Sequence, residues 1–144
     1  MNSMKDKVFL DTNVFIYAID TSLDLKEKRE VARHLITEHI RKETGVISIQ
    51  VLQEFYQVST HKIQIPISSE EALEFLHYMS VLDTVHPELE MIVSAIHLHK
   101  KHRISIWDAL IIQAALTAGC SLLLSEDLQH GFAIDQLIVK NPFM

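Results

Sequence analysis

A chain of 144 residues, 48 % apolar and 22 % charged, holds enough material for one hydrophobic core, and this composition excludes a disordered tail. Its formal net charge of −6 excludes a surface broadly coated with Lys and Arg for nucleic-acid phosphates, while leaving room for a local basic rim beside an acidic site. The lone cysteine, Cys120, excludes an intrachain disulfide and suits a reducing, cytoplasmic setting.

The polar opening "MNSMKDK" does not read as a signal peptide, and no apolar run approaches the roughly 18 residues of a membrane span. "VFL" at 8–10 reads as a strand and "TNVFIYAI" at 12–19 as a short helix. Residues 24–42 carry Leu25, Ala32, Leu35, Ile36 and Ile40 at helical spacing between charged residues, an amphipathic helix that Gly45 is expected to end. "VISI" at 46–49 reads as a second strand. Val51, Leu52, Phe55 and Val58 restore the helical period over 48–61, with Phe55 and Tyr56 on different sides, and Pro66 closes the region. Ser68 and Glu71 form an S-x-x-E capping box that opens the next helix. "VLDTV" at 81–85 reads as a third strand, followed by a helix over 87–101 whose apolar side carries Leu89, Ile92, Val93 and Ile96. "IWDALIIQAALTAG" at 106–119 is a helix apolar nearly all round, expected to be buried and stopped by Gly119. "SLLLS" at 121–125 is apolar throughout, as a central parallel strand is, and "QLIVK" at 136–140 completes the set. Strands alternating with helices predict one α/β domain over residues 1–144, with three layers, α/β/α, around a mainly parallel sheet of about five strands.

Four acids interrupt apolar segments. Asp11 ends the first strand, Glu54 lies beside the apolar face of the 48–61 helix, Asp108 opens the most buried helix, and Asp127 follows the fourth strand. Each has a local explanation. Asp11 can cap the short helix, Asp108 can complete a capping box opened by Ser105, Asp127 can make an Asx-turn, and Glu54 can reach water. Taken together they suggest more, because ligands of open parallel sheets bind at the carboxyl ends of the strands, where Asp11 and Asp127 fall. Four converging carboxylates would repel one another and raise their own pKa values unless a divalent cation compensated them. All-oxygen coordination selects Mg²⁺ or Mn²⁺ over zinc, and metal-assisted phosphoryl transfer is the chemistry that follows.

The four blocks "VFLDTNVFIYA", "SIQVLQEFYQV", "SIWDALIIQAA" and "LLLSEDLQHG", in that order and spacing, resemble the PIN-domain family, the fold of VapC-like toxins of toxin–antitoxin modules. The resemblance covers essentially the whole chain. It implies a Mg²⁺- or Mn²⁺-dependent endoribonuclease whose four acids are Asp11, Glu54, Asp108 and Asp127, all catalytic and metal-binding. It places the family's S/T-x-D hydroxyl on Ser125 and a supporting polar residue on Asn13, with Thr12 between Asp11 and Asn13 either contributing chemistry or only the turn. Glu126, beside Asp127, is expected to point away. An RNA substrate, an antitoxin protein and a homodimer are the implied partners, the last two using the apolar faces of the 24–42 and 48–61 helices.

Other features invite weaker readings. "HLHKKH" at 97–102 places His99 and His102 three residues apart, which fits a surface helix end better than zinc. Lys100, Lys101 and Arg103 near it, and His61 with Lys62, are candidate phosphate contacts. Trp107 is expected to pack in the core rather than to stack on a base. Haloacid-dehalogenase-like phosphatases also begin with a strand-end aspartate, but their D-x-D needs an acid where this chain has Asn13. A PIN-like binding module that acts through a partner is the remaining alternative.

Overall fold

A computed structural model describes residues 6–144; the polar 1–5 segment of the signal-peptide reading lies outside the described residues. In chain order the elements are β1 (Val8–Leu10), α1 (Thr12–Ile19), a 3₁₀ turn (Leu23–Leu25), α2 (Lys26–Arg41), β2 (Gly45–Ser48) and α3 (Ile49–His61). There follow α4 (Ser69–Met79), β3 (Asp83–Val85), α5 (Leu89–His102), α6 (Ile106–Thr117), β4 (Leu122–Leu124), β5 (Ala133–Ile134) and β6 (Leu137–Lys140). The strand order is β3-β2-β1-β4-β6-β5. All neighbours run parallel except β5, which pairs antiparallel with β6. Helices flank this sheet, as the alternating pattern predicts. The sixth strand is the two-residue β5, too short to carry a periodic signal.

Register follows burial. Phe9 pairs with Val46 on one side and Leu123 on the other, and Leu123 pairs in turn with Val139; all four are buried. β1 is apolar at every position because both of its faces are covered. β6 alternates, with Leu137 and Val139 inward and Ile138 and Lys140 outward. Phe55 is buried on α3 whereas Tyr56 is half-buried and shares a hydrogen bond with Ser69, so the two rings do lie on different sides. The Ser68–Glu71 capping box is formed reciprocally.

Two helix ends show why boundaries shift by a residue or two. α6 stops at Thr117, and Gly119 takes φ 76° so that its N–H reaches the Leu116 carbonyl and the Cys120 N–H the Ala115 carbonyl. α2 ends in the same way without glycine. Glu43 takes φ 57°, its N–H bonding the Ile40 carbonyl and the Thr44 N–H that of His39. Gly45, expected to end this helix, instead opens β2, where an added Cβ would lie 2.6 Å from Leu82 Cδ2 and 3.3 Å from His39 Cβ. Its role is close packing.

Candidate active site

The parallel strands deliver their carboxyl ends to one edge, and the acids gather there. Asp11 directly follows β1 and caps α1: its Oδ1 accepts the Thr12 N–H at 2.7 Å. Its Oδ2 accepts the Ser125 hydroxyl at 2.7 Å. The Asp11 N–H bonds the Leu124 carbonyl, which ties β1 to the end of β4. Ser125, fully buried, is the hub of the neighbouring turn. Besides donating to Asp11, its oxygen accepts the N–H groups of Asp127 at 3.1 Å and Leu128 at 3.4 Å. Asn13 reaches across from α1. Its amide donates to Asp127 Oδ2 at 3.3 Å and its oxygen accepts the Glu126 N–H at 3.2 Å.

Glu54 projects from α3 toward the same edge. Thr12 donates its hydroxyl to Oε1 at 2.8 Å, and Gln50 donates its amide to Oε2 at 3.3 Å. The Gln50 amide also reaches the Trp107 carbonyl at 3.2 Å, linking α3 to the start of α6. Asp108 sits in the first turn of α6, where its N–H bonds the Ser105 hydroxyl at 3.0 Å. The capping box read for Asp108 is therefore half present, since Ser105 accepts from its backbone.

The carboxylates also act on one another electrostatically. Burial pushes the Asp11 carboxyl up to about 6; the Ser125 and Thr12 hydrogen bonds oppose this, and the charges of Asp127 and Glu54 add to it. Burial also raises Asp108, against the Ser105 hydrogen bond and with help from the Asp127 charge. Asp11, Glu54 and Asp127 thus share one field, and Asp108 joins it through Asp127. Among the described residues, however, no three His, Cys, Asp or Glu side chains are grouped closely enough to hold one metal ion. The donor chemistry is all-oxygen, so a hard divalent cation fits it in kind; Glu54 and Asp127 line an open cleft, while Asp11 is buried at the end of β1.

A family model for the PIN domain matches residues 8–132, a span that contains all four acids. The chain belongs to the PIN-domain family. Its fold is that of VapC-containing structures. It is similar to a chain of the DNA-bound VapBC complex from Salmonella typhimurium (TM-score 0.68, 17 % identity, covering 96 % of this chain and 99 % of that one). It is similar also to VapBC2 from Rickettsia felis bound to a fragment of its promoter (TM-score 0.67, 20 % identity, 93 % and 97 %). A third is the Mycobacterium tuberculosis toxin VapC20, described as cleaving the sarcin–ricin loop (TM-score 0.64, 14 % identity, 81 % and 87 %). No curated protein matches in sequence.

Within this PIN domain the basic candidates separate. Lys62 lines a cleft of about 420 Å³ together with Thr12, Asn13, Glu54 and Asp127. His97 and Lys101 of "HLHKKH" line a different groove, beside Asp135 and Ile134. His99 hydrogen-bonds the Ile104 carbonyl, and His102 packs edge-on against Phe132 with ring centroids 5.3 Å apart. Trp107 is a correction: it is 64 % exposed, not core. The hydrophobic side of the α6 start is supplied by Ile106 and Leu110 instead, and Trp107 lines a separate cavity with Met91 and Ile92. Glu126 turns away from Asp11 toward Tyr17 and Lys28, though it still borders the cleft. Gln50 is a site residue that the sequence reading missed; its one signal is that it precedes Glu54 by a helical turn.

Proposed function

We propose that this PIN domain, over residues 1–144, is a divalent-metal-dependent endoribonuclease that hydrolyses RNA phosphodiester bonds, and the toxin of a type II toxin–antitoxin pair. Support comes from family membership and from structural neighbours that are toxin–antitoxin proteins, one of them described as an RNA-loop-cleaving toxin. The observation that carries the reading is Asp11. A carboxylate buried at a strand end, with Asp127 and Glu54 adding negative charge to it, is costly unless a cation compensates it. Asp11, Asp108, Asp127 and Glu54 would hold Mg²⁺ or Mn²⁺, directly or through water. The ion, when bound, supplies a water of lowered pKa and neutralises charge on the phosphate. The chain's own residues prepare the site. Ser125 and the Thr12 N–H fix the Asp11 rotamer, Asn13 holds Asp127, and Thr12 with Gln50 holds Glu54. Lys62, on the wall of the cleft, meets an RNA phosphate.

The antitoxin takes the apolar groove of about 410 Å³ between α1, α2, α3 and α4, lined by Phe15, Ile36, Phe55, Phe75 and Tyr78. A homodimer forms through exposed apolar residues, for which the row Leu89, Ile92, Val93 and Ile96 on α5 is available. The setting is cytoplasmic; no helix of the described residues is long and apolar enough to cross a membrane.

The test is cleavage of total RNA with added Mg²⁺ and mapping of the cut sites. The natural chain cuts, and Asp11→Asn and Asp108→Asn do not; variants that still cut at the natural rate overturn the assignment. The open spacing of the acids favours one second reading, a binding module acting through its partner. Calorimetric titration with Mn²⁺ separates the two, since a module gives the same trace for the natural chain and Asp108→Asn.

A further inference from the structure

We infer that Tyr17, Lys28 and Glu126 form a clamp that positions Asp127 in the acid cluster, and that Glu126 is itself a positioning residue rather than a metal ligand. The inference rests on reading that cluster as a metal site. Asp127 sits in the turn after β4, a segment without regular backbone pairing of its own, so side chains must fix it. From one side Asn13 holds the Glu126 N–H and the Asp127 carboxylate. From the other, both oxygens of Glu126 are occupied. Oε2 accepts Lys28 Nζ at 2.7 Å, and Oε1 accepts the Tyr17 hydroxyl.

The two donors are themselves fixed. Lys28 Nζ lies 4.9 Å from the centroid of the Tyr17 ring and 3.3 Å from its hydroxyl oxygen. Phe143, near the C-terminus, packs edge-on against the same ring with centroids 4.8 Å apart. Tyr17 belongs to α1 and Lys28 to α2, two helices packed on one another, so the clamp ties the turn to a rigid pair. Burial and the facing Glu126 carboxylate hold the Tyr17 phenol above its ordinary range, which keeps it a donor. Adjacent in sequence, Glu126 and Asp127 are thereby sent different ways. Glu126 is neutralised by Lys28, and Asp127 stays with Asn13 in the field of Asp11 and Asp108. Without the clamp, a second carboxylate would be free in the cleft and the turn would be held only by Asn13 and the Ser125 hydroxyl.

The experiment compares the full chain with its Lys28→Met, Lys28→Arg, Tyr17→Phe and Glu126→Gln variants in three measurements. The first is hydrogen–deuterium exchange over 125–128 in metal-free protein, the second Mn²⁺ affinity by electron paramagnetic resonance, and the third RNA cleavage. Lys28→Met and Glu126→Gln are expected to speed exchange of the turn, to weaken Mn²⁺ binding about 10- to 100-fold and to lower kcat with KM unchanged. Tyr17→Phe, the mildest change, moves all three the same way by less, and Lys28→Arg, which keeps the ion pair, restores them. Unchanged exchange in Lys28→Met and Tyr17→Phe overturns the clamp. Loss of Mn²⁺ binding in Glu126→Gln but not in Lys28→Met also overturns it, because Glu126 is then a ligand. If the natural chain neither binds Mn²⁺ nor cuts RNA while Lys28→Met still loosens the turn, the clamp stands and the nuclease reading falls.

Discussion

Ser125 and Asp11 are 114 residues apart in sequence and 2.7 Å apart in space, hydroxyl to carboxylate. The same hydroxyl oxygen accepts two N–H groups of its own turn, so one buried atom joins the ends of β1 and β4. Ser125→Ala leaves Asp11 Oδ2 without its donor where water hardly reaches, since Asp11 is only 6 % exposed. The expected cost is about 1–3 kcal/mol of stability, read by urea denaturation at neutral pH. The Asp11 carboxyl is also expected to titrate higher than about 6, because the Ser125 bond is the larger of the two that hold it down. A variant as stable as the natural chain, with Asp11 titrating where it did, removes Ser125 from the site.

Asp11 also sets a pH dependence of unusual sign for an aspartate. Its folded pKa, about 6, lies above the ordinary value of 3.8, so between these two values the folded chain holds more protons than the unfolded one. Stability then falls as pH rises through that window, by about 3 kcal/mol from this group, and levels off above it. Asp108, raised in the same direction, adds to the slope. Asp11→Asn removes the penalty and keeps an acceptor for the Thr12 N–H. In metal-free buffer at pH 7 it is expected to be more stable than the natural chain while cutting no RNA. Added Mg²⁺ is expected to raise the melting temperature of the natural chain more at pH 7 than at pH 5, and to leave Asp11→Asn unmoved. Calorimetric melts across pH 4–7 check both.

Thr12 and Gln50 meet on Glu54, one at each carboxylate oxygen. Thr12→Val and Gln50→Leu each remove one donor and leave a half-buried carboxylate partly unsatisfied. Stability is expected to fall by about 1 kcal/mol in each, and RNA cleavage by about 10- to 100-fold, because what is lost is the orientation of the acid. Thr12→Ser keeps the hydroxyl and is expected to retain activity. Activity lost in Thr12→Ser but retained in Thr12→Val would mean that the methyl group, not the hydroxyl, is what the site needs.

Sequence pattern reached most of this fold because each core element is marked either by a helical period or by an unbroken apolar run. β1, β4 and α6 are apolar at nearly every position, and such runs admit few placements. The acids were legible for the opposite reason: Asp11, Glu54, Asp108 and Asp127 stand where apolar residues belong. What escaped was set by contacts between distant segments. Lys28 and Glu126 are 98 residues apart, and nothing in "KEKRE" distinguishes Lys28 from its solvated neighbours. Gly45 departs from its sequence expectation because glycine is the commonest left-handed residue after a helix, whereas here Glu43 takes that conformation and Gly45 makes room for Leu82. Trp107 departs from its sequence expectation because many of its neighbours in "IWDALIIQAA" are buried; a helix that is apolar all round has no polar stripe from which to tell its outward side.

The same Trp107 makes the face beside Asp108 observable, because it is the only tryptophan of the chain. At 64 % exposure its indole emits as a largely hydrated ring, and Trp107→Ala, which leaves no core cavity, is expected to change stability by less than about 0.5 kcal/mol. Its ring stands beside the cavity lined by Met91 and Ile92, next to the exposed row on α5. If two copies associate through that row, emission shifts to the blue as protein concentration rises, and Leu89→Asp together with Val93→Asp, which lie outside the cavity beside the indole, abolishes the shift while leaving the dilute spectrum unchanged. RNA bound along the Asp108 side quenches the same signal through stacking. A dimer in sedimentation with no spectral shift places the contact elsewhere, and the groove between α1, α2, α3 and α4 is then the surface to mutate.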